Sequence, residues 1–140
     1  MAFDRKVFSE SDLFDAEAWR DCAPYWMIVD GAKAGCCAFQ KNIDFRDDIG
    51  EDDPRLKGSL FISTTGMLPK FQGRGFGSLL KAWEISFARY HGFTRIVTNH
   101  RKRNIPIIKL NQKFGFKIIR TTSRYYENPG DSVVVMELLL

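Results

Sequence analysis

The segment from 59 to 87 places most of the constraint on how this chain can fold. It opens with the strand-like run "SLFISTT" (59–65), which is rich in apolar and β-branched residues. Three glycines, Gly73, Gly75 and Gly77, come next, and an amphipathic pattern follows them. Its apolar residues recur at i, i+3, i+4, i+7 and i+11, which predicts one face of a helix: Phe76, Leu79, Leu80, Trp83 and Phe87. The segment therefore predicts a strand, a glycine-bearing turn and a helix in direct succession.

The rest of the chain continues this alternation of strands and helices. An Asp-Gly turn in "DGAK" predicts a hairpin between 25–29 and 34–39. Further elements are predicted as a helix within 9–24, a strand at 95–99, a helix at 104–116 that begins at Asn104 and ends at Gly115, and two final strands joined by "ENPGD". No repeat or linker divides the chain. We therefore expect one domain, residues 1–140, with a mixed α/β or α+β sheet.

Composition and charge exclude several classes of protein. At 140 residues and 44% apolar content, the chain has enough material for a single core. A net charge of +4 with one basic run, "HRKR", does not indicate nucleic-acid binding. No basic-then-apolar leader opens the sequence, and no apolar run is long enough to span a bilayer. We therefore expect no membrane partner. Three cysteines, two of them adjacent, favour a reduced, cytoplasmic protein.

The glycines between strand and helix point to an anion site. The first turn of a helix leaves backbone N–H groups unpaired, and the helix dipole adds positive charge there. Glycines allow a bulky anion such as a pyrophosphate to approach the backbone. The alternative is a tight turn that needs only positive φ. The chain has neither a G-x-x-x-x-G-K-[ST] nor a G-x-G-x-x-G loop, since Ser78 follows the third glycine.

"QGRGFG" (72–77) has the form [RQ]-x-x-G-x-[GA] and resembles the acetyl-CoA pyrophosphate loop of the GNAT N-acetyltransferase superfamily. The segment "NIPIIKLNQKFGF" is similar to that superfamily's N-x-x-A-x-x-L-Y-x-K-x-G-F helix. The hairpin "VDGAKAG" and the tail "YYENPGDSVVVMEL" fit the same order, and the tail resembles the branch that acetylates protein N-termini. The resemblance implies a mixed sheet of six to seven strands with about three helices. It also implies a splay between the family's fourth and fifth strands, here 59–66 and 95–99.

The resemblance implies acetyl-CoA as co-substrate, with no metal, and assigns residues to it. Backbone groups of Thr65 and Met67 would pair with the pantetheine arm, and Gly66 would supply a β-bulge. Asn104 would contact pantetheine, cap its helix, or do both. The 3′-phosphate would meet Lys70, Arg74 or the run 101–103, unless these form a solvated basic loop. The amides that would hold the pyrophosphate are those of Gly73, Arg74, Gly75, Phe76, Gly77 and Ser78.

The chain departs from the family at the reacting groups. The family often has a tyrosine seven residues after the motif asparagine, where this chain has Asn111. Asn111 is a candidate for a hydrogen bond to the cofactor sulfur or the acceptor, or else a structural amide. An amide is no useful general acid, so Tyr125 or Tyr126 is expected to supply the proton to the thiolate. No carboxylate stands where relatives carry a base. His100, interpreted as a loop histidine, and water are the alternatives.

The expected activity is transfer of an acetyl group to a primary amine of a small molecule, peptide or protein. A second hypothesis, favoured by the asparagines at reacting positions, is a non-catalytic acyl-CoA-binding or regulatory module. Six carboxylates between Asp44 and Asp53 could attract a cationic acceptor, or could form a solvated loop. The resemblance leaves a homodimer open.

Overall fold

The computed structural model describes residues 22–41, 58–122 and 132–140. They form a six-stranded sheet in the order β1-β2-β3-β4-β6-β5. The strands are β1 (Ala23–Val29), β2 (Ala32–Lys41), β3 (Ser59–Met67), β4 (Arg95–Arg101), β5 (Lys117–Thr122) and β6 (Val133–Leu139), and the α-helices are α1 (Phe76–Tyr90) and α2 (Ile105–Lys113). The predicted mixed sheet is confirmed. The helix expected within 9–24 and the acidic loop lie outside the described residues.

The hairpin of β1 and β2 turns where the sequence predicts it. Asp30 and Gly31 both have positive φ, 50° and 78°, as a two-residue type I′ turn requires. The strands pair antiparallel from Ala23↔Phe39 to Val29↔Ala32. β2 then pairs antiparallel with β3, which brings the strand before the glycine loop into the middle of the sheet.

The β-bulge of β3 lies at Ser63, earlier in the strand than the expected position at Gly66. Ala38 pairs with Thr64 and Phe39 with Ile62, so Ser63 is the extra residue. Gly66 pairs regularly with Cys36, and the expectation of a bulge at Gly66 is wrong. A Cβ at Gly35 would lie 2.8 Å from the Gly66 carbonyl oxygen, so the glycines here allow close approach of β2 and β3 instead.

The sheet opens between β3 and β4. These parallel strands pair from Ser59↔Arg95 to Ile62↔Thr98, and no pair beyond this point joins them. β3 continues to Met67 and β4 to Arg101. At the point of divergence, Thr98 Oγ1 donates to the Ile62 carbonyl oxygen over 3.1 Å. We call the opening beyond this bond the slot; it confirms the predicted splay.

Both α-helices lie on the same face of the sheet. The crossovers β3–α1–β4 and β4–α2–β5 advance in one direction across the sheet, and right-handed connections then place both helices together. A Cβ at Gly77 in α1 would lie 3.8 Å from Leu110 in α2, which shows that the helices touch. They cover the main core, whose buried members include Phe39, Leu60, Ile62, Leu80, Ile85, Ala88, Ile96, Ile108, Phe116, Val134 and Met136. None of the described helices is long and apolar enough to cross a membrane.

The inward face of α1 is rotated from the predicted apolar stripe. Its buried residues are Leu80, Lys81, Glu84, Ile85 and Ala88. Leu79 is 59% exposed and Trp83 is 40% exposed, so the prediction that these two belong to the buried face is wrong. Trp83 instead packs at the rim, against Tyr25, Phe39 and Phe87. The rotation puts two charged side chains into the interface with the sheet.

Candidate functional site

Two residues of the glycine loop have a left-handed backbone conformation, and the space beside them is open. Gly73 and Gly75 have φ of 70° and 84°, which a residue with a Cβ adopts only with strain. A Cβ built on either glycine meets nothing within 4 Å. The tight turn and the open approach are therefore both present. Gly77 has no positive φ, and its small size serves the contact with Leu110 instead.

The loop ends at the N-terminus of α1, where backbone donors point outward. Gly75 is the N-cap residue, and no side chain caps the helix. The first helical hydrogen bond within the described residues runs from Leu79 N–H to the Gly75 carbonyl oxygen. The N–H groups of Phe76, Gly77 and Ser78 precede it and have no helical acceptor. With the helix dipole, they form a site for an anion.

Side chains of the loop brace it against the end of β3. Gln72 Nε2 donates to the Met67 carbonyl oxygen over 3.0 Å, and a 3₁₀ turn, Pro69–Phe71, leads into it. The Arg74 guanidinium lies over the Phe71 ring at 5.7 Å and the Phe76 ring at 5.2 Å. Gln72 opens the [RQ]-x-x-G-x-[GA] motif, and its function here is to close the loop. Sequence reasoning had assigned it no task.

The basic residues around the loop divide into exposed and buried groups. Lys70 and Arg74 are exposed beside the glycines, and Lys102 and Arg103 are exposed after β4. Arg101 is a strand residue, buried and paired with Val133. The first four can reach a phosphate from solvent, whereas Arg101 belongs to the sheet.

The slot leads from the loop into the sheet. Thr65 and Met67 lie on β3 past the last pair with β4, so the β4-facing edge of β3 is open there. Beyond Ile62, extended backbone with an open edge can pair with an extended amide-bearing chain. The loop lies at one end of this edge, and the Thr98–Ile62 bond closes the other.

Asn104 and Asn111 have different environments, although both lie on α2 or at its start. Asn104 is the N-cap residue, as predicted, but its side chain makes no capping bond and is exposed. Asn111 is fully buried at the centre of the inward face. Its Nδ2 lies 3.2 Å from His100 Nε2 and 3.7 Å from Met136 Sδ, and its Oδ1 has no hydrogen-bond partner within the described part of the chain.

His100 is not a loop residue. It lies in β4, paired with Val134, and only part of its ring reaches the surface. Burial and then the charge of Lys81 lower its pKa from 6.5 to about 3, so the ring is neutral at physiological pH. His100 Nε2 lies 3.2 Å from Asn111 Nδ2 and 3.4 Å from Thr98 Oγ1, and the ring tautomer sets whether it accepts from the first or donates to the second.

A buried ion pair on α1 was not predicted. Lys81 Nζ lies 3.6 Å from Glu84 Oε2, and the two residues are 1% and 0% exposed. Thr65 Oγ1 donates to the same carboxylate oxygen over 3.4 Å. Burial raises the Glu84 pKa, and Lys81 and Thr65 oppose this. The signal in the sequence is two charged residues, three apart, inside the apolar stripe of a helix.

Cys37 lies next to this pair on β2, opposite Thr65. Burial, followed by the charge of Glu84, raises the pKa of its thiol far above the usual range. A thiol that stays protonated is a poor nucleophile. Cys37 is therefore not an activated nucleophile. Tyr125 and Tyr126 lie outside the described residues.

Comparison with known proteins gives the same family from sequence and from structure. The model of the acetyltransferase (GNAT) family matches residues 1–116. A relative in Drosophila melanogaster, the probable N-acetyltransferase san, is 30% identical over 131 residues, 91% of this chain. The chain spans 64% of that relative's length.

Solved structures share the fold at low sequence identity. A GNAT family acetyltransferase from Elizabethkingia anophelis with acetyl-CoA bound superposes with a TM-score of 0.73 at 16% identity, over 89% of this chain and 80% of that one. The ribosomal-protein-S18-alanine N-acetyltransferase from Escherichia coli gives 0.72 at 16% identity, over 99% and 83%. With the glycine loop, the splayed strands and the family match in agreement, the chain belongs to the GNAT acetyltransferase family.

Proposed function

We propose that the protein is an acetyl-CoA-dependent N-acetyltransferase that transfers the acetyl group from the thioester to a primary amine. The observation that carries this proposal is the slot between β3 and β4, which opens at one end onto the unpaired N–H groups of α1. The pyrophosphate is held by the amides from Gly73 to Ser78, and the pantetheine arm pairs with the open edge of β3 at Thr65 and Met67. Asn104, whose exposed side chain makes no capping hydrogen bond, contacts the arm from its position just before α2.

Acetyl transfer needs an electrophilic carbonyl, a neutral amine and a proton for the departing thiolate. Backbone N–H groups on the open edge of β3 polarise the thioester carbonyl. A tyrosine of the pair Tyr125–Tyr126 donates the proton to the thiolate. Asn111 is a positioning residue, since its amide is directed at His100.

The acceptor is a primary amine of a small molecule or of a peptide. The solved relative from Escherichia coli is named for acetylating an alanine of a ribosomal protein. A peptide N-terminus is the acceptor that this likeness and the tail of the sequence favour. The cytoplasm, where three cysteines stay reduced, is the compartment we propose.

Gly75→Asp tests the pyrophosphate cradle. It should abolish acetyl-CoA binding, because the new carboxylate stands where the anion is held. Gly92→Asp is the matched control: Gly92 also has positive φ, 78°, with open space around its Cβ, but it lies at the other end of α1. Calorimetric titration of both folded variants checks this. Equal affinity for acetyl-CoA in the two variants would refute the cradle.

The second candidate function is a non-catalytic acyl-CoA-binding module. The observation that favours it is Asn111, buried and engaged by His100 at a position where relatives often carry a tyrosine. Measuring CoA release from acetyl-CoA against a panel of amines and peptide N-termini separates the two candidates. Tight binding with no turnover over the panel would establish the module.

A further inference from the structure

The side of the slot that faces the helices carries polar groups beside core residues such as Met67. Beyond the last β3–β4 pair, Thr65 lies on one wall and His100 on the other. Thr65 is bonded to Glu84 of α1, and His100 is bonded to Asn111 of α2. Each wall of the slot is therefore tied to a different helix by a side-chain contact.

Lys81 lies on the helix side of the slot, next to the wall that Thr65 forms. Its ammonium is 3.6 Å from Glu84, which contacts Thr65 on β3, and its charge acts on His100 in β4. The ring of Phe116, the buried residue after α2, is 5.3 Å from Nζ. The contacts with Glu84 and Phe116 place the ammonium on the helix side of the sheet, near the β3 wall of the opening.

The ammonium is only partly satisfied where it lies. Among the described residues, Lys81 Nζ and Glu84 Oε1 make no hydrogen bond, and neither does Asn111 Oδ1. A buried ion pair with open hydrogen-bonding positions costs more than an apolar pair of the same volume. Leucines at these positions would complete the core of α1. A stability role therefore does not account for Lys81 and Glu84.

We propose that the Lys81 ammonium is a catalytic group of the acetyl-transfer site, which stabilises the negative charge that develops on the thioester, and that Glu84 and Thr65 hold it in position. The inference rests on the proposed function, because it requires the thioester to lie in the slot. A preorganised charge in a water-poor site is the kind of group that lowers a transition state with charge separation.

The reaction step balances without a further reagent. The amine nitrogen forms the C–N bond to the acetyl carbon, and the C–S bond breaks with its electron pair passing to sulfur. The tyrosine gives its proton to the thiolate, and the proton lost by the amine restores the tyrosine. Lys81 keeps its proton throughout and acts through its charge on the oxygen and then the sulfur.

The neighbours of Lys81 are consistent with this role. The neutral ring of His100 does not compete with an anion for the ammonium, and Cys37 stays a thiol. Glu84 is the one carboxylate whose contact with Lys81 is within ion-pair distance among the residues described. The Glu84 carboxylate contacts Lys81 and Thr65, whereas the charge of Lys81 also acts on His100 in β4.

The first experiment measures the thiol pKa of bound CoA, from the ultraviolet absorbance of the thiolate against desulfo-CoA as baseline. Lys81→Met combined with Glu84→Met removes both charges at similar volume. We expect this double variant to raise the pKa of the bound thiol by about one to two units relative to wild type. Glu84→Gln keeps the ammonium and a polar contact for Thr65 but removes the opposing negative charge, and should lower the thiol pKa.

The second experiment measures turnover of the same proteins with the accepted amine. The double variant should lose about 100- to 1,000-fold in kcat with the KM for acetyl-CoA little changed, since the lost contact acts in the transition state. Its melting temperature should equal or exceed that of wild type. A purely structural pair predicts unchanged kcat in the folded double variant, and an unchanged thiol pKa; either result overturns the inference.

The two experiments also separate this inference from the proposed function. If wild type binds CoA but turns over no amine, the enzyme proposal fails while the thiol titration still reports on Lys81. If the double variant does not fold, the pKa of the bound thiol in Glu84→Gln decides whether the Lys81 charge acts on sulfur. A bound thiol pKa that is unchanged or higher in Glu84→Gln would contradict a Lys81 charge that acts on sulfur.

Discussion

At the scale of single residues, the site depends on charges held in unusual surroundings. Lys81 and Glu84 are buried as a pair, and His100 is held neutral beside them. Such perturbed groups occur more often at functional sites than elsewhere. Asn111 joins this set through one hydrogen bond to the His100 ring. Sequence patterns did not predict these contacts among Lys81, Glu84 and His100.

Tyr125→Phe and Tyr126→Phe test which residue handles the thiolate proton. Loss of a positioned general acid lowers kcat by about 100- to 10,000-fold, whereas loss of a packing aromatic lowers stability and leaves kcat of the folded fraction. We expect one of the two variants to show the first result. Asn111→Ala, which removes a buried amide, should lower the melting temperature more than either.

The measurements are kcat and melting temperature for all three variants. If both phenylalanine variants turn over normally and folded Asn111→Ala is inactive, the proton passes through the Asn111–His100 contact instead. Full activity in all three would assign the proton to water.

His100 should make the folded state sensitive to acid. The pKa of the unfolded imidazole is near 6.5 and that of the folded one is about 3, so between these values the unfolded state binds more protons. The contribution of His100 to the unfolding free energy is therefore fully present above pH 6.5. It decreases as the pH drops towards 3, by about 1.4 kcal/mol per pH unit for one proton. Glu84, whose folded pKa is raised, contributes the opposite slope above 4.5.

His100→Gln isolates this contribution, because Gln keeps a polar group for Asn111 and does not titrate. Urea unfolding of wild type and variant at pH 4 and pH 6.5 measures it. The stability of the variant relative to wild type should rise as the pH falls. Parallel losses in the two proteins would assign the acid sensitivity to other groups.

At the scale of elements, α1 shows how a helix can turn its charged residues inward. The apolar residues of α1 cover more than half of its circumference, since Leu79 and Leu80 are both apolar and the helix also contacts the aromatic rim at Trp83. Periodicity alone does not choose between neighbouring orientations of such a helix. The contacts of Lys81 and Glu84 with each other and with Thr65 accompany the observed one.

The orientation of α1 can be tested by making the same change, Leu79→Ala and Leu80→Ala, at two neighbouring positions. Leu80 is 5% exposed in the core and Leu79 is 59% exposed. Leu80→Ala should cost about 2–5 kcal/mol of unfolding free energy, as truncations in a core do. Leu79→Ala should change it by less than about 0.5 kcal/mol, because a surface site in a helix favours alanine. Equal losses of unfolding free energy in the two variants, measured by urea unfolding, would support the orientation of α1 expected from its sequence.

At the scale of the whole molecule, the sheet consists of two hydrogen-bonded ladders. β1, β2 and β3 form one, β4, β6 and β5 form the other, and the residue pairs from Ser59↔Arg95 to Ile62↔Thr98 join them. A ligand in the slot would contact both ladders. Its binding should therefore stabilise the fold as a whole.

Acetyl-CoA at about 100 times its dissociation constant should add about 2.7 kcal/mol to the unfolding free energy. The rise in melting temperature should be several degrees for wild type and Gly92→Asp, and absent for Gly75→Asp. Scanning calorimetry with and without acetyl-CoA measures this. A shift of equal size in Gly75→Asp would place the ligand outside the glycine loop.

Much of the fold could be predicted from local signals. Asp30-Gly31 specified the hairpin, and Pro106 and Gly115 fixed the limits of α2. The glycine loop was likewise visible, because glycine is the residue that adopts positive φ without strain. The bulge at Ser63 was not, since it depends on the register of β2 against β3.

The candidate site was predicted where backbone atoms form it and missed where side chains meet across elements. His100 was expected in a loop because it adjoins a basic run, yet β4 extends to Arg101 through its pairing with β6. Lys81 and Glu84 were overlooked because the stripe was assigned from its largest apolar residues. The contact between Asn111 and His100 joins α2 to β4, and helix spacing alone cannot reveal it.

The open edge of β3 has a cost for the protein before any cofactor arrives. Unpaired strand backbone in the middle of a sheet can accept a strand from another chain, and natural proteins protect such edges against aggregation. Past Ile62 this edge pairs with no residue of β4 in the described structure. A pantetheine arm in the slot would occupy the same backbone groups. The co-substrate would then also act as a solubility factor, and light scattering during the melting experiment should show less self-association in its presence.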